Sequence, residues 1–384
     1  MILPDIITKV LLFLIVCAAV YQGFAVFCVW DFLRGKRNPD RLQYDVPISI
    51  IKPLKGWDAG LEANLESFCT QDYPAFEILL GFTEPEDEAI PRLHNIAAAH
   101  GSCRVIVSTN KCGANNKVSN LQGLVEAAAH PLLAISDSDM RVDRFYLRDI
   151  VNDYYREIKM GLVTCLYKVS APETTGAALE SLTTALDFIP SVLVARRLEG
   201  VTFGLGATLL LSRKALEDSG GLAAIANYLA DDYQIGNRLW KKGYTVTLSR
   251  VVIENIVGPM SIADYFRHQV RWARTYRASR PHGYVGYGIT YLFPFTLMFA
   301  CLEGPTAFAL SLLGLSCCLR LALAFLLHAK EIHSKKWLKW LVLLPVKDLA
   351  GFGIWVWSFM SNKIVWKRMT CVVRKDGTIM TVEE

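Results

Sequence analysis

The ten cysteines of this 384-residue chain include no C-x-x-C pair, so zinc held by paired thiolates is excluded. They form no disulfide grid either. Cys17, Cys28, Cys301, Cys317 and Cys318 lie in apolar runs, and Cys69, Cys103, Cys112, Cys165 and Cys371 are scattered. Buried, reduced thiols are the expectation for a chain facing the cytosol. The seven histidines contain no H-x-x-x-H pair, which removes a zinc hydrolase. No G-x-x-x-x-G-K-[ST] loop is present. Gly204-Leu205-Gly206 lacks the third glycine of a dinucleotide fingerprint and precedes a strand pattern rather than a helix. There is no internal repeat and no low-complexity segment. The charge excess is small, 41 Lys+Arg against 36 Asp+Glu, and does not argue for a nucleic-acid partner. The start has no strongly basic region and no small-residue cleavage site, which disfavours a cleaved signal peptide.

What is abundant is apolar sequence, 52% of residues at a mean hydropathy of +0.28, and most of the excess lies in two blocks. Ile6–Trp30 has the length of a bilayer span, with Tyr21 and Trp30 suited to the interfaces. Arg34, Lys36 and Arg37 follow, so the positive-inside tendency predicts an anchor whose following domain is cytoplasmic. The second block runs from Tyr287 to Met360 in three pieces, Tyr287–Ala300, Pro305–Leu327 and Trp340–Met360. The first piece is short enough to be tilted, interfacial or re-entrant. The third is flanked by Lys330, His333, Lys335, Lys336 and Lys339 on one side and by Lys363, Lys367, Arg368, Arg374 and Lys375 on the other. It also contains Lys347, Asp348, Gly351 and Gly353, which admits a re-entrant hairpin, and a cytoplasmic C-terminus is expected. Roughly 250 central residues read as ordinary soluble protein, which excludes a polytopic transporter.

In that central region, strand patterns alternate with helical ones. Val46–Ile51, Phe76–Gly81, Cys103–Val107 and Pro131–Ser136 are strand candidates; Leu61–Cys69, Ala89–His100 and Val118–Ala129 are helical between them. The alternation predicts an α/β fold with a parallel sheet and a ligand site at the carboxyl ends of its strands. Further on, Gly161–Leu166 and Ala207–Leu211 read as strands, Asn227–Trp240 and Ser261–Arg277 as helices. Leu186–Val194, ending at Arg196-Arg197, fits a core helix and a membrane-surface helix equally well.

Asp137-Ser138-Asp139 is the most informative tripeptide. Two carboxylates at the end of an apolar strand are costly without a cation, and they suit a hard divalent ion, Mg²⁺ or Mn²⁺, with phosphate oxygens and water as its other ligands. Asp231-Asp232 opens a helix. The adjacent charges fit either first-turn stabilisation of the helix dipole or a general base whose pKa is raised by its neighbour. His268, Arg271 and Trp272 lie in a helix rich in arginine: Arg267, Arg271, Arg274, Arg277 and Arg280 suit diphosphate recognition or anionic lipid. Asn115-Asn116-Lys117 opens another helix, a plausible phosphate or ribose contact, and Asp87 sits in an acidic loop after a strand, where solvation explains it equally well.

Taken in order, Lys52-Pro53-Leu54-Lys55-Gly56, Asp87, Asn116-Lys117-Val118-Ser119-Asn120-Leu121, Asp137-Ser138-Asp139, Asp231-Asp232-Tyr233 and Arg271-Trp272 resemble the ceramide glucosyltransferase family of membrane-bound GT-A glycosyltransferases. The similarity extends over nearly the whole chain. Within the family, Gly161–Tyr167, Pro190–Leu198 and Arg271–Pro281 look most like the bacterial branch associated with hopanoid lipids. The resemblance implies an α/β, GT-A type nucleotide-sugar-binding domain at 36–283, an N-terminal transmembrane anchor at 1–35, C-terminal membrane helices at 284–361 and a basic tail at 362–384. It implies transfer of a hexose, glucose or N-acetylglucosamine, from a UDP-sugar to a hydroxyl of a ceramide-like or hopanoid lipid, with inversion. Asp232, beside Asp231, would be the base. Asp137 and Asp139 would hold the diphosphate through Mg²⁺ or Mn²⁺. Pro53, Lys55, Asp87, Lys117, Asn120, His268, Arg271 and Trp272 would complete the donor site. His268 departs from the Gln or Arg usual at its position. The implied partners are a UDP-sugar, a lipid acceptor and the bilayer, with no obligate protein partner. The implied place is a bacterial inner membrane with the catalytic domain facing the cytoplasm. A processive polysaccharide synthase, a polyprenyl-phosphate sugar transferase and a non-enzymatic sugar-nucleotide sensor stand as alternatives.

Overall fold

The computed structural model describes residues 2–35, 44–329, 335–366 and 369–381. Lys36, Arg37, Lys330, His333, Lys367 and Arg368, invoked above as basic flanks, lie outside the described residues. The chain divides into two compact units. One, helical, takes Met1–Gly35, Ser170–Leu198 and Pro259–Lys367; the other, built on a sheet, takes Lys36–Val169, Glu199–Gly258 and Arg368–Glu384. In chain order the strands are β1 (Ile48–Pro53), β2 (Phe76–Phe82), β3 (Cys103–Val107), β4 (Leu132–Ile135), β5 (Met140–Arg141), β6 (Met160–Val169), β7 (Leu209–Ser212), β8 (Thr245–Asn255), β9 (Lys363–Trp366), β10 (Met369–Val373) and β11 (Ile379–Thr381).

The sheet unit has eight strands in the order β3-β2-β1-β4-β7-β6-β8-β5. β1 runs parallel to β2 and β4, and β2 parallel to β3, as the alternation of strand and helix predicts. Its β-branched residues explain β1: Ile48, Ile50 and Ile51 are fully buried, each contributing about 1.5–3 kcal/mol. The sheet is mixed rather than wholly parallel. β7 is antiparallel to β4, with Ile135 opposite Leu209, and β5 is antiparallel to β8. The reason is local. The glycine loop at 204–206 brings the start of β7 to the end of β4, where Asp137 N donates to Gly206 O at 3.3 Å, so the strand can only run back. One helix packed on this sheet, Asn116–Ala127, begins at Asn115, whose side chain accepts from Lys117 N and Val118 N. β8 and the helix Tyr146–Tyr154 add to the elements read from the sequence, although both carry a period: Tyr146, Leu147, Ile150, Val151 and Tyr154 share one buried helix face, and burial alternates along most of β8.

In the helical unit, Asp5–Arg34, Thr175–Glu199, Ala307–Ala329 and Trp337–Ser358 are long and apolar enough to cross a membrane. Pro281–Thr290 and Leu292–Glu303 form a pair bent by 54°, so the short apolar piece at Tyr287–Ala300 contains a break. Leu186–Val194 belongs to the run Thr175–Glu199, most of whose apolar window is buried inside the protein, as in a core helix. A π-helical turn at Thr184–Phe188 interrupts that run and carries Asp187. Lys347 and Asp348, the charges in the third apolar piece, are neutralised internally. Lys347 Nζ lies 2.7 Å from Asp187 Oδ2 and 2.6 Å from Asp348 Oδ1, and Arg320 lies 3.0 Å from Asp187 and 2.9 Å from Asp348. The arginine-rich helix Ile262–Ser279 starts at a capping box of Ser261 and Asp264. Two of its arginines serve backbone, Arg274 donating to Lys363 O and Arg277 to Ser358 O, and Arg277 also donates to the Asn362 side-chain oxygen.

Candidate active site

The site lies at the carboxyl end of β4. Beneath it is Lys52, on buried β1. Its ammonium donates to Asp137 O at 2.6 Å and to Ser136 Oγ at 3.4 Å, and it sits 3.9 Å above the Phe68 ring. Burial lowers its pKa to about 7, against the pull of Asp139 and Asp137. The sequence motif directed attention to Pro53 and Lys55, whereas Lys52 is the residue of that motif that meets Asp137, at its main-chain oxygen. The available signal was a lysine within an apolar strand, which is costly unless a polar partner faces it.

Lys117 gathers the carboxylates. Its ammonium is 2.7 Å from Asp137 Oδ1 and 3.1 Å from Asp231 Oδ2. Burial opposes this charge, but Asp137, Asp231 and Asp232 together hold it well above its ordinary range. Asp232 is fixed by backbone on both oxygens. Oδ2 accepts from Gly206 N at 2.8 Å, and Oδ1 from its neighbour Tyr233 N at 2.7 Å. Burial first, and the Asp231 charge second, raise Asp232 to about 6 despite Lys117 and the Tyr233 N–H. Of the adjacent acids, Asp231 pairs with Lys117, and Asp232 is held by two backbone N–H groups.

Glycines make this approach possible. A Cβ on Gly206 would lie 2.7 Å from Asp137 Oδ2 and 3.4 Å from Asp232 Oδ2. A Cβ on Gly236 would meet Gly204 N at 2.2 Å. The G-x-G, dismissed above as a dinucleotide loop, brings β7 and the helix Asp231–Lys241 against the acids. Gly206 is therefore a residue of the cluster that sequence reasoning passed over.

Asp139 completes the group. Its Oδ1 is buried and makes no hydrogen bond among the described residues. Burial, then the Asp137 charge, raise its pKa to about 6, while Asn255 and Lys52 oppose the shift. An orphaned carboxylate oxygen one residue beyond Asp137 and Ser138 fits a hard cation with oxygen ligands. No group of three or more His, Cys, Asp or Glu side chains placed to hold a metal ion occurs among the described residues. The protein would then supply two carboxylates at most, the rest coming from phosphate and water.

The other expected donor residues of this unit stand further out. Asp87 accepts from Gly56 N at 2.8 Å and Ala89 N at 3.0 Å, tying the loop after β1 to the loop after β2. Lys55 pairs with Glu84 at 2.6 Å. Pro53 ends β1 opposite Gly81, and buried Asn120 donates to Gly81 O and Leu54 O. In the helical unit, His268 Nδ1 lies 3.1 Å from buried Glu180 Oε1, and Gln269 donates to Glu180 Oε2 at 2.9 Å. The rings of His268 and Trp272 are 4.8 Å apart on the helix that also carries Arg271. Glu180, a carboxylate in an apolar helix, was another residue the sequence reading missed.

Comparison with known proteins bears on the family and the fold. Ceramide glucosyltransferase 1 of Caenorhabditis elegans is 29% identical over 237 residues, 61% of this chain and 51% of that protein. Ceramide glucosyltransferase of Komagataella phaffii is 24% identical over 325 residues, covering 70% of this chain and 64% of that one. This chain spans about half the length of the nematode relatives it matches. Among solved structures, a mannosyltransferase from Pyrobaculum calidifontis in complex with GDP-Man and Mn²⁺ aligns over 91% of this chain and 99% of its own, with a TM-score of 0.59 at 16% identity. That likeness is one of fold, and the mixed sheet is of the GT-A type. The sequence profile of glycosyl transferase family 21 matches residues 10–379, and the chain belongs to that family.

Proposed function

We propose that this protein transfers a hexose, glucose or N-acetylglucosamine, from a UDP-sugar to a hydroxyl of a membrane lipid, ceramide-like or hopanoid, with inversion at the anomeric carbon. The observation that carries the reading is the convergence of Asp137, Asp231 and Asp232 on Lys117 and Gly206 at the end of β4. Asp232 takes the proton of the acceptor hydroxyl as its oxygen bonds to the anomeric carbon and the bond to the diphosphate breaks. A carboxylate raised to about 6 is ionised at neutral pH yet more basic than an ordinary aspartate. Its two N–H partners hold it in one orientation, so little reorganisation accompanies the proton transfer. Asp231 spends its charge on Lys117 and keeps Asp232 basic.

Asp137 and Asp139 are the residues that would hold Mg²⁺ or Mn²⁺, and the ion would supply charge to offset the departing diphosphate. Lys117 holds the carboxylates of Asp137 and Asp231, and Lys52 braces the Asp137 main-chain oxygen. The family resemblance adds His268, Arg271 and Trp272 as donor contacts, with the sheet unit on the cytoplasmic side of a bacterial inner membrane. The test is to incubate the purified protein with separate UDP-sugars, a total lipid extract and Mg²⁺ or Mn²⁺, and to analyse the lipids by mass spectrometry. A lipid carrying one added sugar is expected. A polymer, a sugar on a polyprenyl phosphate, or nucleotide binding without transfer would overturn the proposal.

A further inference from the structure

The segment that delivers Asp231 and Asp232 has almost no structure of its own. From Ala226 to Ala230 it is turn and bend, and Ala230, at the helix N-cap, has no side chain to cap it. Two other parts of the sheet unit hold it. On one side is the loop before Lys117: Asn115 N donates to Ala226 O at 2.8 Å, Asn115 Nδ2 to Tyr228 O at 2.7 Å, and Ala114 N to Asn227 Oδ1 at 2.9 Å. On the other is the hairpin of β10 and β11. Ile379 N donates to Asn227 O at 2.7 Å, Leu229 N donates to Gly377 O at 3.2 Å, and Tyr228 bridges to Thr378 in antiparallel fashion.

The hairpin is built to keep that edge in place. Cys371, Val373 and Ile379 are buried, Asp376 accepts from the backbone and side chain of Thr378, and Gly377 holds φ +87° at the turn. Its contacts end at Leu229, two residues before Asp231. A small displacement of a catalytic group, about 1 Å, can cost about 10²-fold in rate.

We propose that the hairpin Met369–Thr381 is a positioning element of the active site, its edge from Gly377 to Ile379 strapping Asn227–Leu229 and thereby setting where Asp231 and Asp232 stand. This rests on the reading of Asp232 as the base. The Ile379 N–H goes to Asn227, so Ile379→Pro removes that strap bond, while Ile379→Ala loses the side chain and keeps it. In the full-length protein, Ile379→Pro should lower kcat about 10–100-fold below Ile379→Ala, with the UDP-sugar KM within about threefold. In an Asp232→Asn background the same change should cost little more, because the group it positions is already gone. Where Ile379→Pro melts below the assay temperature, Gly377→Ala, which strains the turn and removes no N–H, is compared with wild type in the same way. Equal kcat for the proline and alanine variants, or full additivity with Asp232→Asn, overturns the proposal. Wild-type turnover by Asp232→Asn alone overturns the base assignment, whatever the hairpin variants do.

Discussion

Two clusters of buried charge, one in each unit, use the same side chains to opposite ends. In the helical unit Asp187, Asp348, Arg320 and Lys347 balance to zero. All four are at most 10% exposed, and each acid touches both bases within 2.6–3.0 Å. In the sheet unit four aspartates, 137, 139, 231 and 232, face two lysines, 52 and 117. Negative charge is in excess, and two buried carboxylate oxygens, Asp139 Oδ1 and Asp231 Oδ2, make no hydrogen bond among the described residues, the second having only its ion pair with Lys117. A balanced network leaves nothing for a ligand to satisfy. An unbalanced one is stabilised by what it binds, and that difference separates structural charge from a reacting site.

The comparison breaks most directly at Asp232. Asp232→Asn should lower kcat by about 10²–10⁴-fold while UDP still binds, with no more than a small change in melting temperature. Wild-type-like turnover would reduce the sheet cluster to a second structural network. The opposite pattern is expected in the helical unit. Lys347→Met leaves Asp187 and Asp348 short of positive charge and should destabilise the protein by about 3–5 kcal/mol, read as a fall in melting temperature in detergent. Lys347→Met combined with Asp348→Leu restores the balance and should recover most of that loss. A single variant as stable as wild type would mean that the network is open to water or ions.

How much of this was legible beforehand follows from the same physics. Leu61–Cys69 and β3 occupy the residues their patterns predict, because short amphipathic runs bounded by turn residues have few alternatives. The Asp137–Asp139 and Asp231–Asp232 pairs stood out because carboxylates beside apolar runs are costly. Lys52, Gly206 and Glu180 did not. Each acts through a neighbour distant in sequence: Asp137 is 85 residues from Lys52, and Asp232 is 26 from Gly206. No local period records such a contact. The reversal of β7 was hidden for the same reason, since strand direction depends on where a loop returns and not on the strand's own residues.

The two clusters should also part company with pH. Asp232 moves from 3.8 to about 6 on folding. Its contribution to stability is therefore present below pH 3.8 and lost as pH rises through 6, the reverse of an ion-paired carboxylate. Its use as a base runs the other way, so kcat should fall about tenfold per pH unit below about 6. Comparing kcat and melting temperature against pH in wild type and Asp232→Asn isolates both trends. The stability trend should be weaker in the variant, and an acid limb that persists unchanged in its residual activity would assign the titration elsewhere.

The smallest effect concerns the two lysines that bracket Pro53. Lys52 is wholly buried and reaches Asp137, whereas the Lys55 side chain is 46% exposed and engaged with Glu84. An exposed pair of this kind is worth about 0.2–1 kcal/mol, and solvent screens it. Lys55→Ala should therefore leave the melting temperature unchanged and shift the UDP-sugar KM by no more than about threefold. A rise of about tenfold or more, about 1.4 kcal/mol, would place the Lys55 ammonium on the donor phosphates. The site would then extend from the Asp137 cluster along the loop that Asp87 ties down at Gly56. The excess negative charge around Lys117 would in that case be answered from two sides, by a cation at Asp137 and Asp139 and by a lysine drawn away from Glu84.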